Sequence, residues 1–190
     1  MASSFQVLAS VTTMCSRARA LVQHGFTLIE LMVTIAILAI LMMVAAPSFN
    51  EAMLSNKLAG YANSFVTSAL LARSEAIKHN GTVTLCRSSD LVTCANSGGW
   101  QQGWILRRVD IDSSGVSTTV IIQKQQALSS DYLFTGNAYS IDFPPGGDAV
   151  TNATLTLCRA TPSPGSQERV ITLTSTGRVT AKKTVTGLCS

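Results

Sequence analysis

A continuous apolar stretch near the start of the chain, residues 26–46, places the strongest constraint on the fold. As an α-helix rising about 1.5 Å per residue, it would be roughly 30 Å long, which is the thickness of the hydrocarbon core of a bilayer. In lipid a helix satisfies all of its own backbone hydrogen bonds. The stretch therefore predicts a transmembrane helix over residues 26–47, ending at Pro47.

Glu30 is the single charged residue of this stretch. A carboxylate near the end of a membrane helix costs on the order of a few kcal/mol unless it is paired, protonated or able to reach the interface. Two interpretations remain open: Glu30 reaches water within one turn of the helix start, or it meets a partner charge. In either case Glu30 is a candidate functional residue.

The segment before the stretch is short and basic, with Arg17, Arg19 and a small residue, Gly25, directly before Phe26. Ordinary secretory signals are cut after their apolar region, whereas a cut after Gly25 would leave the apolar region on the mature protein. The arginines favour a cytoplasmic N-terminus and a translocated C-terminal domain. Translation begins at Met1 or at Met14.

Residues 25–30, G-F-T-L-I-E, resemble the prepilin peptidase site of type IV pilins and of the pseudopilins of type II secretion. The resemblance implies cleavage between Gly25 and Phe26 and N-methylation of the new Phe26 amine. It also implies that Glu30 is the acidic residue of an assembling helix. In a filament core without water, the Glu30 carboxylate would pair with the Phe26 amine of a neighbouring subunit, so that two burial penalties offset each other.

Beyond the apolar stretch, residues 48–80 keep helical periodicity, and Asn80-Gly81 provides a turn that ends a helix. The apolar residues of this periodicity, which we expect on one buried face, are Phe49, Met53, Leu58, Tyr61, Phe65, Ala69, Leu70, Ala72 and Ile77. Alternation and turn residues then predict strands over residues 82–86, 103–110, 117–126, 139–143, 153–159, 169–174 and 178–183.

These segments predict an α+β fold, in which a long N-terminal transmembrane and amphipathic helix packs on a C-terminal antiparallel β-sheet domain. The predicted organisation is a leader over residues 1–25 that is removed, a transmembrane helix over 26–47, a helix continuing into the head over 48–80, and a β-rich globular domain over 81–190. The length after the membrane stretch is sufficient for one domain with its own core.

Four cysteines follow the expected cut: Cys86, Cys94, Cys158 and Cys189. An even number on a translocated domain indicates disulfides, because the periplasm oxidises thiols. Three connectivities are possible, and we favour pairing of nearest neighbours, Cys86 with Cys94 and Cys158 with Cys189. No ligand spacing typical of a metal site is present.

Four segments, residues 71–80, 83–89, 99–105 and 171–178, are similar to the GspH/FimT/FimU branch of minor pilins and pseudopilins. The resemblance covers most of the mature chain and implies a non-enzymatic subunit of the inner membrane with a periplasmic C-terminal domain. The implied partners are prepilin peptidase and other pilins or pseudopilins, with which it forms a pilus tip or priming complex. A pseudopilin of type II secretion is an alternative.

No catalytic, cofactor-binding or metal-binding motif occurs in the chain. Trp100 and Trp104 are interpreted as core residues beside the Cys86 to Cys94 loop rather than as a docking pair. DNA is a further candidate partner, since FimT-like pilins are similar to proteins that bind DNA through a G-R-x-R tail. Here Thr180 replaces the second arginine, and the candidate cations are Arg178, Lys182 and Lys183.

Overall fold

A computed structural model describes residues 25–160 and 167–184. The chain divides into two compact units, with the boundary between Met43 and Val44. One helix, α1 (Leu28–His79), contributes residues to both units. The predicted leader lies outside the described residues except for Gly25, so the processing boundary stays a prediction.

The C-terminal end of α1 is closed by the Asn80-Gly81 pair that the sequence analysis identified. The Asn80 N–H donates to the Ile77 carbonyl at 3.3 Å, and the Gly81 N–H donates to the Ala76 carbonyl at 3.2 Å. Asn80 takes a positive φ of 46°, a conformation that asparagine tolerates better than most residues. This bonding pattern is a Schellman motif, and it confirms where the helix ends.

The strands of the second unit form two antiparallel four-stranded sheets, which confirms the predicted antiparallel β-sheet domain and shows how its strands are divided. The first sheet has the order β3-β2-β1-β5 and the second the order β4-β6-β7-β8. The strands are β1 (Val83–Arg87), β2 (Trp104–Ile111), β3 (Ser117–Gln125), β4 (Tyr132–Gly136), β5 (Ser140–Phe143), β6 (Ala153–Arg159), β7 (Glu168–Leu173) and β8 (Val179–Thr184).

Strand β4 and a short 3-10 helix, Trp100–Gln102, were not predicted from the sequence. Strand β4 is short, and it alternates two buried aromatic residues, Tyr132 and Phe134, with more exposed neighbours before ending at Gly136. So short an alternation gives a weak signal by itself. The other seven strands agree with the predicted positions to within one or two residues.

The face of α1 that the second unit buries is narrower and richer in alanine than the sequence analysis expected. Phe49, Met53, Leu70 and Ile77 were assigned to the buried face but are exposed. The buried stripe instead consists of Leu54, Leu58, Ala62, Phe65, Ala69, Ala72 and Ala76, at intervals of three and four residues. Four of these seven residues are alanine, whose small side chain allows close packing, while Leu54, Leu58 and Phe65 supply the large apolar side chains of the stripe.

Both tryptophans lie in the core around Phe65, which confirms their interpretation as packing residues. The Phe65 ring meets Trp100, Trp104 and Phe134 edge-on at centroid distances of 5.0, 5.5 and 5.2 Å, a favourable geometry for aromatic pairs. Each indole N–H is satisfied: Trp100 donates to the Ala138 carbonyl at 2.9 Å and Trp104 to the Ser68 hydroxyl at 3.0 Å.

Candidate assembly and binding surfaces

The first surface is the apolar segment of the first unit, in which every residue from 25 to 43 is exposed. Its large side chains are mostly exposed, such as Leu28 at 77% and Met43 at 78%. Contiguous apolar patches of this kind mark membrane or protein contact sites. No single described helix is long and apolar enough to span a membrane. The stretches Leu28–Met43 and Ser48–His79 meet the length and hydropathy requirement together.

Helix α1 starts with a cap that the sequence analysis missed. The Glu30 N–H donates to the Thr27 hydroxyl at 3.3 Å, and the Leu31 N–H donates to the Thr27 carbonyl at 3.1 Å. Thr27 is therefore the N-cap, and Glu30 occupies the third helical position. Thr-x-x-Glu is the sequence of a capping box, and this spacing was visible in T-L-I-E. The Glu30 carboxylate also lies where the helix dipole favours a negative charge.

The bond between Gly25 and Phe26 lies outside the helix, in residues without regular secondary structure. Phe26 is 72% exposed, and an added Cβ at Gly25 would meet no heavy atom within 4 Å. The position of the predicted cut is therefore accessible in the described chain, while the chain immediately after it becomes helical.

A disulfide joins Cys86 and Cys94 and closes the loop that follows β1, as the sequence analysis predicted. Arg87, buried at 4% exposure, reinforces the loop: its guanidinium donates to the carbonyls of Ala95 and Gly98 and lies 3.7 Å from the centre of the Tyr139 ring. Cys158 is disulfide-bonded as well. Cys189, the partner predicted for it, lies outside the described residues, so the second pair stays a prediction.

Asp90 organises the turn inside this loop. Its carboxylate accepts hydrogen bonds from the Thr93 hydroxyl at 2.7 Å, the Thr93 N–H at 2.8 Å, the Val92 N–H at 2.9 Å and the Ser88 hydroxyl at 2.9 Å. These bonds hold the pKa of Asp90 well below its ordinary value of 3.8, and the bonds from Thr93 are the largest cause. Hydrogen bonds to the ionised form favour that form.

The candidate DNA-binding cations do not form one cluster. Arg178, Lys182 and Lys183 are all exposed at strand β8 or just before it. Lys183 pairs in register with Arg169, whereas Lys182 pairs with Val170, and neighbouring residues of a strand point to opposite faces. Lys182 therefore shares a face with Thr180, and Lys183 lies on the other face.

Arg169, on the neighbouring strand β7, is buried and hydrogen-bonded to α1. Its guanidinium donates to the Ser55 carbonyl at 3.1 Å and to the Ser55 hydroxyl at 2.9 Å. Burial lowers its pKa from the ordinary value. Arg169 therefore links β7 to α1 and is not available to a phosphate. Within residues 25–160 and 167–184, no group of three or more His, Cys, Asp or Glu residues is placed to hold a metal ion.

Two family models match the chain. Residues 61–177 match the model described as type II transport protein GspH, and residues 21–46 match the prokaryotic N-terminal methylation motif. The second match contains the predicted cut and the capped helix start. No curated protein matches the chain.

Solved structures of two proteins are among those similar to the chain. The type IV minor pilin FimU of Pseudomonas aeruginosa aligns with a TM-score of 0.53 and 18% identity, covering 71% of this chain and 96% of FimU. The minor pseudopilin EpsH of the type 2 secretion system of Vibrio cholerae aligns with a TM-score of 0.47 and 15% identity, covering 66% of this chain and 96% of EpsH. At 18% identity, the likeness to FimU concerns the fold.

Proposed function

The chain belongs to the GspH family of minor pilins and pseudopilins, and we propose that it is cut after Gly25, methylated on Phe26 and incorporated into the tip or priming complex of a type IV pilus. Its work is protein–protein assembly through the apolar helix and the head, without catalysis. Prepilin peptidase and other pilins are its partners. Before assembly it is held in the bacterial inner membrane by a single pass, with the head in the periplasm.

The observation that carries this proposal is the N-terminal methylation motif, residues 21–46, on a segment whose side chains are all exposed from residue 25 to residue 43. Such a segment needs lipid or other helices around it. A bilayer supplies the first and a helical filament core the second. The Cys86–Cys94 disulfide supports a periplasmic head, since disulfides persist in oxidising compartments.

Glu30 has two roles in this proposal. At the third helical position it favours the helix start, and after processing its carboxylate lies on the same segment as the Phe26 amine. In a dry filament core either charge alone is costly to bury. Pairing the Glu30 carboxylate of one subunit with the Phe26 amine of its neighbour offsets both penalties and fixes the register between subunits.

The test is Glu30→Gln in the full-length chain. Glutamine also serves at the third position of a capping box, so the helix start is preserved and only the charge is removed. Breaking a buried ion pair costs about 3–5 kcal/mol, which corresponds to a loss of at least roughly a hundredfold in co-assembly. Membrane insertion should be unchanged. The measurement is the amount of the chain in sheared filaments compared with the membrane fraction.

Glu51→Gln is the matched control, because Glu51 is an exposed acidic residue further along the same helix. It should leave incorporation unchanged. Incorporation of Glu30→Gln at the level of the original chain would contradict the charge-pairing role.

Capture of DNA for uptake is the second candidate function. The exposure of Arg178 and Lys182 at the edge strand β8 favours it. Each of these cations would neutralise one phosphate, so the affinity for DNA should fall as the salt concentration rises. Fluorescence anisotropy with duplex DNA tests this: binding lost in Arg178→Gln with Lys182→Gln, but kept in Lys124→Gln, supports DNA capture, and no binding at low salt excludes it.

A pseudopilin role in type II secretion is the third candidate, and the description of the matching family model favours it. It shares the anchor, the processing and the head with the pilus role. The genes beside the coding sequence distinguish the two, since a minor-pilin cluster and a secretion operon encode different neighbours.

A further inference from the structure

The four edges of the two sheets differ in how they are protected. Strand β5 is bonded along its edge, where the Asp142 carbonyl accepts from the Val150 N–H at 3.0 Å. Strand β4 is covered by the Gln101 side chain, whose oxygen accepts from the Phe134 N–H at 3.1 Å. Strand β8 carries Lys182 and Lys183. Coverage, short length and lysine are the usual means by which sheet edges avoid pairing with other chains.

Strand β3 has none of these protections over residues 117–121. It is the longest strand, with nine residues, and it pairs with β2 on one side only. The part of the chain that the structure describes makes no other backbone hydrogen bond to residues 117–121. A register shift opposite Leu106 and Arg107 interrupts the ladder beyond Ile121. Within residues 25–160 and 167–184, residues 117–121 therefore form a regular, open edge.

The side chains of this edge are suited to a β-partner. The sequence S-T-T-V-I over residues 117–121 is uncharged and rich in β-branched residues, which favour strands. The β2–β3 hairpin also exposes large apolar side chains, with Ile111 at 71%, Val116 at 58% and Val109 at 49% exposure. We call residues 109–121 the hairpin arm. Its open backbone edge and its apolar side chains are both suited to one kind of occupant, a protein strand.

We propose that the hairpin arm binds an extended strand from the head of another pilin, which adds to the edge of β3. This rests on the proposed function, in which the chain co-assembles with other pilins. Edge addition provides main-chain hydrogen bonds for affinity and side-chain contacts for specificity. Lys124, beyond the register shift, is exposed and is the only charged residue of β3, so an acidic residue at that end of the partner strand would complement it.

Site-specific photo-crosslinking in cells that produce the full-length chain and its pilins tests the proposal. A photoreactive amino acid at Thr119 should crosslink to a strand residue of another protein that carries the N-terminal methylation motif, identified by mass spectrometry. The same probe at Thr180, on the lysine-bearing edge of β8, is the matched control and should give no such product. A probe at Ile37, in the apolar segment, reports co-assembly separately.

The charge variant Ser117→Lys with Ile121→Lys should remove the Thr119 crosslink, because lysines on an edge oppose pairing. Ser117 is exposed and Ile121 is half-buried, so tryptophan fluorescence of Trp100 and Trp104 verifies that the variant is folded. Crosslinks from Ile37 without any from Thr119 would overturn the proposal that the hairpin arm binds a partner strand, and the proposed function would stand. Crosslinks from neither position would overturn both, and a Thr119 product with only a second copy of this chain would overturn the choice of partner.

Discussion

At the scale of single residues, Glu30 shows how one side chain can have a local and an intermolecular explanation. The Thr27 hydroxyl accepts from the Glu30 N–H, so residue 30 belongs to a capping arrangement that requires no neighbour. That arrangement is also satisfied by glutamine, whereas pairing with an amine requires the carboxylate. Substitution by glutamine keeps the backbone donor and a side chain found in capping boxes while it removes the charge, so it tests the pairing role alone.

Asp90 gives a prediction of pH dependence. Its pKa in the folded chain lies below its ordinary value of 3.8, so its hydrogen bonds stabilise the turn fully above that value and are lost as the pH falls through the lower, folded pKa. Acidification below about pH 4 should therefore loosen the turn before the sheets unfold. The Thr93 amide resonance, followed by NMR, should shift in that range.

Asp90→Asn should abolish the titration of the Thr93 amide, because the asparagine oxygen does not ionise. Asp148→Asn, at another exposed loop position, should leave it unchanged. A Thr93 titration that persists in Asp90→Asn would show that another group controls the turn.

At the scale of elements, helix α1 carries two different apolar patterns. Over residues 28–43 the side chains are apolar all around and exposed, whereas from Leu54 to Ala76 a single stripe is buried. The first pattern suits an environment that is apolar on every side, and the second suits packing on one side. The exposed Phe49, Met53, Leu70 and Ile77 lie outside the stripe.

The strands show which elements a sequence can specify. Strands with long alternation, such as β2, β3 and β6, were predicted within one or two residues, and the Asn80-Gly81 helix end was predicted correctly. Strand β4 was missed because its pairing with β6 is what gives five residues a stable conformation. Tertiary contacts routinely override a weak local preference.

At the scale of the whole molecule, three segments meet at two glycines. Gly177, in the turn between β7 and β8, and Gly147, in the loop after β5, both have positive φ, of 73° and 77°. A Cβ at Gly177 would overlap the Gly147 carbonyl, and one at Gly147 would press on Ile77 and Arg73 of α1. The Ala149 N–H donates across the same junction to the Ser175 carbonyl at 2.9 Å. Both sheets and the helix are therefore joined there.

Gly177→Ala should destabilise the protein more than Gly115→Ala. Both positions have positive φ, 73° and 79°, which costs a side chain about 1–2 kcal/mol. An added Cβ at Gly115 meets no atom within 4 Å, while the overlap at Gly177 adds about 1–3 kcal/mol. Urea unfolding of the full chain in detergent, followed by the fluorescence of the two buried tryptophans, measures the difference in the free energy of unfolding.

An equal decrease in the free energy of unfolding in the two alanine variants would mean that the Gly147–Gly177 junction accommodates the added Cβ without further destabilisation. A larger loss at Gly177 would give the glycine of the G-R-x-R-like run a packing role that is independent of any DNA contact.

The sequence alone determined the apolar segment, the cut site motif, the α+β class, seven strands and the Cys86–Cys94 pair, because these depend on local periodicity, fixed spacing or short chain separation. The tertiary structure decided the division into two sheets, the alanine stripe, the burial of Arg169 and the separation of Lys183 from Lys182. Each of these depends on which distant segments meet. Only the pairing of strands revealed that β3 keeps an open edge among the described residues, since an edge is defined by the partner that a strand lacks.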